Sequence, residues 1–386
     1  MDFRLSPHQL AFREEVREFL TQEVTQELRA EARRLNVPGP ATAAFRRKLI
    51  ERSWLGVSWP QEYGGLGRPH FEQYLLAEEL EYAEAPPLPL AITSIGPTLM
   101  QVGSEEQKRK LLPGVLGGEI DFALGYSESE AGTDLAAIST RAVAEADCFR
   151  IEGRKLFTSI AHLASHIWLA ARTNPEAPRH RGISIFLVPV ESAGLTIRPI
   201  WTVGDGRLNE VFFDSVVVPP TSLVGELDRG WYYMMTALDF ERGSLAPYSL
   251  LLKLHEDLVT LVRSKSASVP AWVYQRTRHL LADLAVQVSI ARLLAMRTAL
   301  MVDRGEMPQH EAHIQKVFRS EALRRIVSAG LRVLGLYGQL VEGDPRAAQF
   351  GKYARHVELG IRTTIGAGTN EVLRSSIATR GLGLPR

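Results

Sequence analysis

Residues 365–374, IGAGTNEVLR, set Gly366, Ala367 and Gly368 ahead of a Thr-Asn-Glu that reads as a helix start. A turn so poor in side chains brings its backbone close to something. Residues 124–134, LGYSESEAGTD, place Ser127 and Thr133 around acids and a glycine-bearing turn, offering hydroxyls and free amides to a polar ligand. The same composition also describes a solvated acidic loop. In EGRKLFTSIAH, residues 152–162, Phe157, Thr158 and Ser159 close a strand. An aromatic followed by hydroxyls suits a flat ring system and equally an ordinary strand end. The histidines of HLASH (His162, His166) and HEAH (His310, His313) match no HExxH pattern and have no cysteine or carboxylate set beside them. They read as surface histidines, and no metal is expected. The lone GLYG does not follow a strand in a βαβ unit, so a Rossmann domain is not supported.

These residues need a scaffold, and the chain has length enough for one. Its 386 residues support two or three structural units, with 45% hydrophobic and 23% charged residues as in ordinary globular proteins. A net charge of +1 with both signs interspersed suggests neither nucleic acid nor anionic membrane as partner. The single cysteine, Cys148, excludes an internal disulfide framework and fits a reducing cytoplasm. The charged, amphipathic start is not a signal peptide, and no apolar run approaches the roughly 18 residues of a membrane span. A cytoplasmic protein without membrane insertion is the expectation. Residues 6–120 read as helices: Ser6 caps, Pro7 suits a first helical position, and Phe12, Val16, Phe19 and Leu20 share one face. Ser104 and Gln107 form a capping box. From about 121 to 225 the segments CFRIEGRKLFTS, HIWLAART, GISIFLVPV, GLTIRPI and EVFFDSVVVP are short, β-branched and turn-bounded, predicting a small antiparallel β domain. Helices return after 230, and Leu284, Val288, Ala291 and Ala295 line one face of a long helix suited to a bundle.

Taken together, the 124–134 loop, the Phe157–Ser159 strand end, FFDSVVVP, LDFERGSLA, LRVLGLYG and GTNEVLR occur in the order and at the spacings of the acyl-CoA dehydrogenase family. The chain resembles that family over essentially its whole length. The resemblance implies an α+β fold with an N-terminal helical domain (1–120), a middle antiparallel β-barrel or sandwich (121–228) and a C-terminal four-helix bundle (229–386). It implies FAD, a tetramer with shared sites, and removal of two hydrogens from the α and β carbons of an acyl-CoA in lipid β-oxidation. The chemistry needs donors aimed at the thioester oxygen, a carboxylate base and a hydride acceptor that no side chain supplies. By position, Tyr126 and Ser127 fall where the family touches the flavin ring. Thr133 falls where a hydroxyl meets the CoA chain. Phe157 takes the place of an aromatic, commonly tryptophan, packed on the flavin, with Thr158 beside it and Ser159 as a hydroxyl near the reactive nitrogen. Asp239 and Arg242 match an Asp-x-x-Arg pair that contacts the CoA part of the substrate. Gln275, Arg332 and Gly335 align with positions holding the FAD of a neighbouring subunit, although glutamine is preferred where Arg332 stands. Thr369 and Glu371 align near the FAD pyrophosphate, at a helix N-terminus suited to phosphate.

Two departures qualify the match. Many family members carry the catalytic glutamate where this chain has Ala367. Alanine keeps the backbone N–H donor to the thioester oxygen, beside the substrate position Gly368, but loses the carboxylate. Some branches, including the isovaleryl-CoA type and several acting on bulky or steroid-derived acyl groups, place the base where Glu241 stands, and Glu241 is the expected base. A surface glutamate is the plain alternative. The family's Arg-x-x-Phe-Gly is represented only by Arg263, with Ser266 and Ala267 in place of Phe-Gly. Some bacterial dehydrogenases divide the base and that arginine motif between two homologous subunits, so homotetramer and heterotetramer both stay open. So do a flavin monooxygenase or oxidase on the same architecture and a non-catalytic partner subunit. An electron-transfer flavoprotein is the implied acceptor, and the acyl group is not specified.

Overall fold

The fold is described from a computed structural model covering residues 3–204, 206–241, 247–265 and 271–385. Six helices come first: α1 (Pro7–Glu23), α2 (Gln26–Ala32), α3 (Pro40–Glu51), α4 (His70–Tyr82), α5 (Gly96–Val102) and α6 (Glu105–Leu116). Eight strands follow: β1 (Phe122–Gly125), β2 (Arg141–Ala144), β3 (Phe149–Lys155), β4 (His166–Arg172), β5 (Ile183–Pro189), β6 (Leu195–Trp201), β7 (Arg207–Val218) and β8 (Leu223–Val224). Then come α7 (Gly230–Asp239), α8 (Ser249–Lys265), α9 (Ala271–Asp303), α10 (His310–Leu334), α11 (Lys352–Ile365) and α12 (Asn370–Ser376). Both capping boxes form, at Ser6 with Gln9 and at Ser104 with Gln107. The chain divides into two compact units, one of Met1–Val24, His70–Ala85 and Arg242–Arg386, the other of Thr25–Pro69 and Pro86–Glu241.

In the first unit α8 to α11 form the bundle, with α4 against α8 and α9 and α12 against α10. Leu251, Leu254 and Leu258 of α8 meet Leu284, Val288 and Ala291 of α9, Leu323 and Ile326 of α10, and Tyr353 of α11. Arg13 joins α1 to Glu78 and Glu79 of α4, and Arg17 adds a second bond to Glu79. One helix, residues 274–303, has the length and mean hydropathy (1.4) of a bilayer-crossing segment, although it contains no unbroken apolar run. Its helical spacing explains this. Leu284, Val288, Ala291 and Ala295 serve the core while Val286, Ile290 and Leu293 form a second apolar stripe on the exposed side.

The second unit is built on a single sheet ordered β6-β7-β3-β2-β4-β5-β8, with β1 added against β4. Its pairings are antiparallel except β1 with β4 and the single pair Arg141 with Arg172 between β2 and β4. One face buries Ala123, Ile151, Ile167, Leu169, Phe186 and Val211 together. Gln107 of α6 ties that helix to the sheet by donating to the carbonyls of Thr221 (2.9 Å) and Leu223 (2.8 Å).

Helix α7 packs on β4 and β5. It begins at Gly230, where a Cβ would lie 2.7 Å from the Ser184 backbone, so only glycine lets the helix start this close to the strand. Near its other end the Ser94 hydroxyl donates to the Ala237 carbonyl at 2.6 Å. Gly230→Ala should therefore push α7 off β5 and lower stability by about 1–3 kcal/mol in urea denaturation. An unchanged midpoint would show that the strand backbone yields at this contact.

Candidate functional site

Strand β3 alternates inward through Phe149 and Ile151, and Lys155 falls in the same register. Its side chain is accordingly 0% exposed. Its Nζ donates to the Tyr126 carbonyl at 3.0 Å and to Glu128 Oε1 at 2.7 Å. Glu128 also accepts from the Ser139 N–H (2.6 Å), the Ser139 hydroxyl (2.7 Å) and the Thr140 N–H (2.9 Å). Burial opposes both charges. Against it, Lys155 and the Ser139 donors hold Glu128 at about 2, whereas burial brings Lys155 down to about 8 despite Glu128. The pair is ionised at neutral pH and pins the loop that begins at Tyr126.

The Leu156 N–H donates to the Ser127 carbonyl at 2.8 Å, setting the loop beside the end of β3. Two residues on, the Thr158 N–H donates to the Asn209 carbonyl (2.8 Å), and Asn209 Nδ2 returns a bond to the Thr158 carbonyl (2.9 Å). Between these fixed points Phe157 is 58% exposed at φ +56°. A bulky residue adopts that left-handed backbone only where its surroundings enforce it. An aromatic ring held outward on an over-determined strand end, with half-buried Ser127 and Ser159 nearby in sequence, fits a flat heteroaromatic cofactor. Thr158 faces inward and is buried, and Thr133 is exposed on the loop. Glu241 follows Phe240, the C-cap of α7, and is half-buried with one carboxylate oxygen inside. Asp239 is half-buried, and Arg242 lies outside the described residues.

In the helical unit, Gly366 closes α11 by donating to the Arg362 carbonyl at 2.9 Å. Ala367 (φ +54°) and Gly368 (φ +95°) then take left-handed backbone in succession. For a residue bearing a Cβ this costs roughly 1–2 kcal/mol, so the turn is enforced from outside itself. Lys316 of α10 enforces it, donating to the Gly368 carbonyl (2.8 Å) and to Asn370 Oδ1 (2.9 Å), while Asn370 Nδ2 donates to the Ser320 hydroxyl (3.0 Å). Thr369 caps α12 by accepting from the Val372 N–H at 3.3 Å, and Glu371 is exposed in the first turn. Arg332 and Gly335 lie exposed at the end of α10, the glycine at φ +57° with nothing within 4 Å of where a Cβ would stand. Arg263 near the end of α8 and Gln275 early in α9 are exposed, and Ser266 and Ala267 lie outside the described residues. His162 accepts from Asn209 at 3.1 Å, His166 bonds Ser165 at 2.9 Å, and His313 is buried.

The structure thus gathers Tyr126, Ser127 and Phe157 along one strand end, and Ala367, Gly368 and Thr369 in one turn. The residues that hold them were not singled out from sequence. Lys155 had a signal, a charge in the inward register of an alternating strand. Lys316, Ser320 and Asn370 had none, because the partners are about 50 residues apart in the chain.

Three family models match the chain: acyl-CoA dehydrogenase N-terminal domain at residues 6–119, middle domain at 123–216 and C-terminal domain at 228–382. The acyl-CoA dehydrogenase FadE29 of Mycobacterium tuberculosis is 34% identical over 391 aligned residues, covering 99% of this chain and 98% of its own. The Tcur3481-Tcur3483 steroid ACAD superposes with a TM-score of 0.92 at 37% identity, covering 100% of both chains. The ChsE4-ChsE5 complex from Mycobacterium tuberculosis superposes at 0.89 and 31% identity, again over 100% of both. The chain belongs to the acyl-CoA dehydrogenase family.

Lys155→Met should cost about 3–5 kcal/mol in urea denaturation, since it leaves a buried carboxylate without its cation, and Glu128→Gln added to it should restore part of the loss. Glu128 also carries a pH signature. Its folded value of about 2 lies below that of a free glutamate, so the unfolded chain binds more protons in between. Its stabilisation is complete above about pH 4.3 and is lost as pH falls towards 2. The melting temperature of Glu128→Gln should accordingly fall less than that of the wild type between about pH 5 and pH 3.

Proposed function

With family membership as the premise, we propose that this chain catalyses α,β-dehydrogenation of an acyl-CoA thioester, with Glu241 as the base. The observation that carries the reading is a half-buried carboxylate at Glu241 in a chain whose usual base position, 367, holds alanine. Glu241 takes the α proton. The Ala367 backbone N–H, held in its left-handed turn, donates to the thioester oxygen as negative charge develops there. Gly368 keeps the approach to that oxygen free of a side chain, and Asp239 and Arg242 contact the CoA portion, with Thr133 beside the CoA chain. Phe157, Tyr126 and Ser127 would hold the isoalloxazine of FAD, with Ser159 and Thr158 completing the strand end. Thr369 and Glu371 would hold its pyrophosphate, and Arg263, Gln275, Arg332 and Gly335 would hold flavin across a subunit boundary. FAD, when bound, supplies the hydride acceptor for the β carbon. An electron-transfer flavoprotein is the proposed oxidant of the reduced enzyme.

We further infer a heteromeric assembly with a homologous chain and a bulky, steroid-type acyl group. Loss of the Phe-Gly pair to Ser266 and Ala267 supports the first, and alanine in place of glutamate at 367 frees volume for the second. The similar Tcur3481-Tcur3483 steroid ACAD accords with both, and the ChsE4-ChsE5 complex with the first. The test is flavin content and visible spectrum of the chain purified alone and with a co-expressed homologous subunit, before and after anaerobic addition of fatty, branched-chain and steroid side-chain acyl-CoA thioesters. Flavin bound only with the partner and bleached by the steroid thioester is expected, and one flavin per chain in a homotetramer would exclude the heteromer. Glu241→Gln should slow bleaching by about 10²–10⁴-fold with flavin content unchanged. Near wild-type bleaching in that variant would remove Glu241 as base.

A further inference from the structure

Phe157 and Ile160 take left-handed backbone at φ +56° and +53°, on either side of Thr158 and Ser159. For an aromatic and a β-branched residue this is costly, so something outside the segment must hold it. The clasp is Asn209 of β7, itself fully buried. Its carbonyl accepts from the Thr158 N–H at 2.8 Å, and its Nδ2 donates to the Thr158 carbonyl at 2.9 Å. The remaining bonds of that amide reach Arg207 Nε (2.9 Å) and His162 Nδ1 (3.1 Å). Arg207 is in turn seated against the segment after α2. Its N–H donates to the Leu35 carbonyl (2.9 Å), and its carbonyl accepts from Asn36 Nδ2 (3.0 Å).

These partners leave the amide one orientation. A guanidinium only donates, so Oδ1 must face Arg207, and a carbonyl only accepts, so Nδ2 must face Thr158. The second Nδ2 hydrogen then goes to His162, whose Nδ1 has to be an unprotonated acceptor. Protonated, the ring would set one N–H against another at 3.1 Å. Burial, with the charge of Arg207 added, lowers His162 from its ordinary value, against a backbone bond with Asn36. The Asn209 amide would favour the proton only by offering its oxygen, and Arg207 occupies that oxygen. Charged and titratable side chains on the surrounding segments are engaged elsewhere: Lys155 with Glu128, Glu210 with Arg154, Asp121 with Arg46, His166 with Ser165, and Arg172 with the Ala136 carbonyl. Arg33 and Arg34 follow α2 in the segment that seats Arg207. His162 itself is half-buried, which leaves it in reach of solvent protons.

We propose that neutral His162 is a positioning residue for flavin: through Asn209 it latches the Phe157–Ser159 strand end in its left-handed form, and protonation of its Nδ1 opens the latch and releases flavin. The inference rests on the reading of that strand end as a flavin seat. With the ring protonated, the Asn209 amide must turn or withdraw. The Thr158 carbonyl then loses its donor, and the two left-handed residues relax. By linkage, bound flavin in turn weakens the hold of His162 on its proton. One proton passes between solvent and Nδ1, and no covalent bond changes.

The test is FAD affinity from about pH 8 to about pH 5, the range in which histidine titrates, read by the change in flavin fluorescence. Wild type, His162→Gln and His166→Gln are compared, each with the co-expressed partner subunit where FAD binding requires it. Wild-type affinity should weaken about tenfold per unit of pH below the His162 midpoint, as the competent fraction falls. His162→Gln, which offers an oxygen to Asn209 and takes no proton, should lose that dependence, and His166→Gln should keep it. An unchanged dependence in His162→Gln, or its loss in His166→Gln, would overturn the latch and leave the flavin reading in place. No FAD binding at any pH, with or without the partner, would overturn that reading and the latch with it. Histidine NMR titration of the chain without flavin is a second measure. Asn209→Asp puts an acceptor where the ring meets a donor, and should raise the His162 midpoint by about one pH unit or more. A midpoint unmoved in that variant would overturn the latch even where His162→Gln fails to fold.

Discussion

Much of the sheet unit's chemistry depends on one charge that has no business being where it is. Lys155 is enclosed at the end of β3, and a lone ammonium there would be prohibitively costly. Its stability comes from Glu128 and the Tyr126 carbonyl, and Glu128 depends in turn on donors from Ser139 and Thr140. The result closes the whole segment from Tyr126 to Thr140 into a loop held from within. Hydrogen-bond satisfaction thereby becomes geometric control. Ser127 and the end of β3 are placed by a buried charge pair, and the bonds of Leu156 and Thr158 then set the exposed Phe157.

The helical unit solves a similar problem without a buried ion pair. The turn at Ala367 and Gly368 keeps two left-handed residues in succession because Lys316 and Asn370 grip it from α10 and from the start of α12. A chain that needs only a backbone N–H at this point loses nothing by carrying alanine, since the donor belongs to every residue but proline. What a side chain cannot do here is set the conformation, and that task has passed to residues in the neighbouring helix.

Local chemistry was legible in the sequence where its cause is local. The capping boxes at Ser6 and Ser104, the face of α9 through Leu284, Val288, Ala291 and Ala295, and the strands bounded by Gly and Pro all follow from spacing alone. The order of motifs carried the family and with it the fold. Lys155 was readable in principle, because its register in β3 is inward, but nothing near it in the chain announces Glu128. The grip of Lys316 on Asn370 was unreadable, since its partners meet only after α10 and α12 have packed. So was the parallel addition of β1 to β4. Long-range pairing of this kind is a property of the folded topology and leaves no periodic trace.

Helix α7 is fastened at both ends, by a glycine seated on β5 and by a serine hydroxyl on a carbonyl one turn before Glu241. The helix therefore has little freedom to slide along the sheet, because any sliding must break one of the two fastenings.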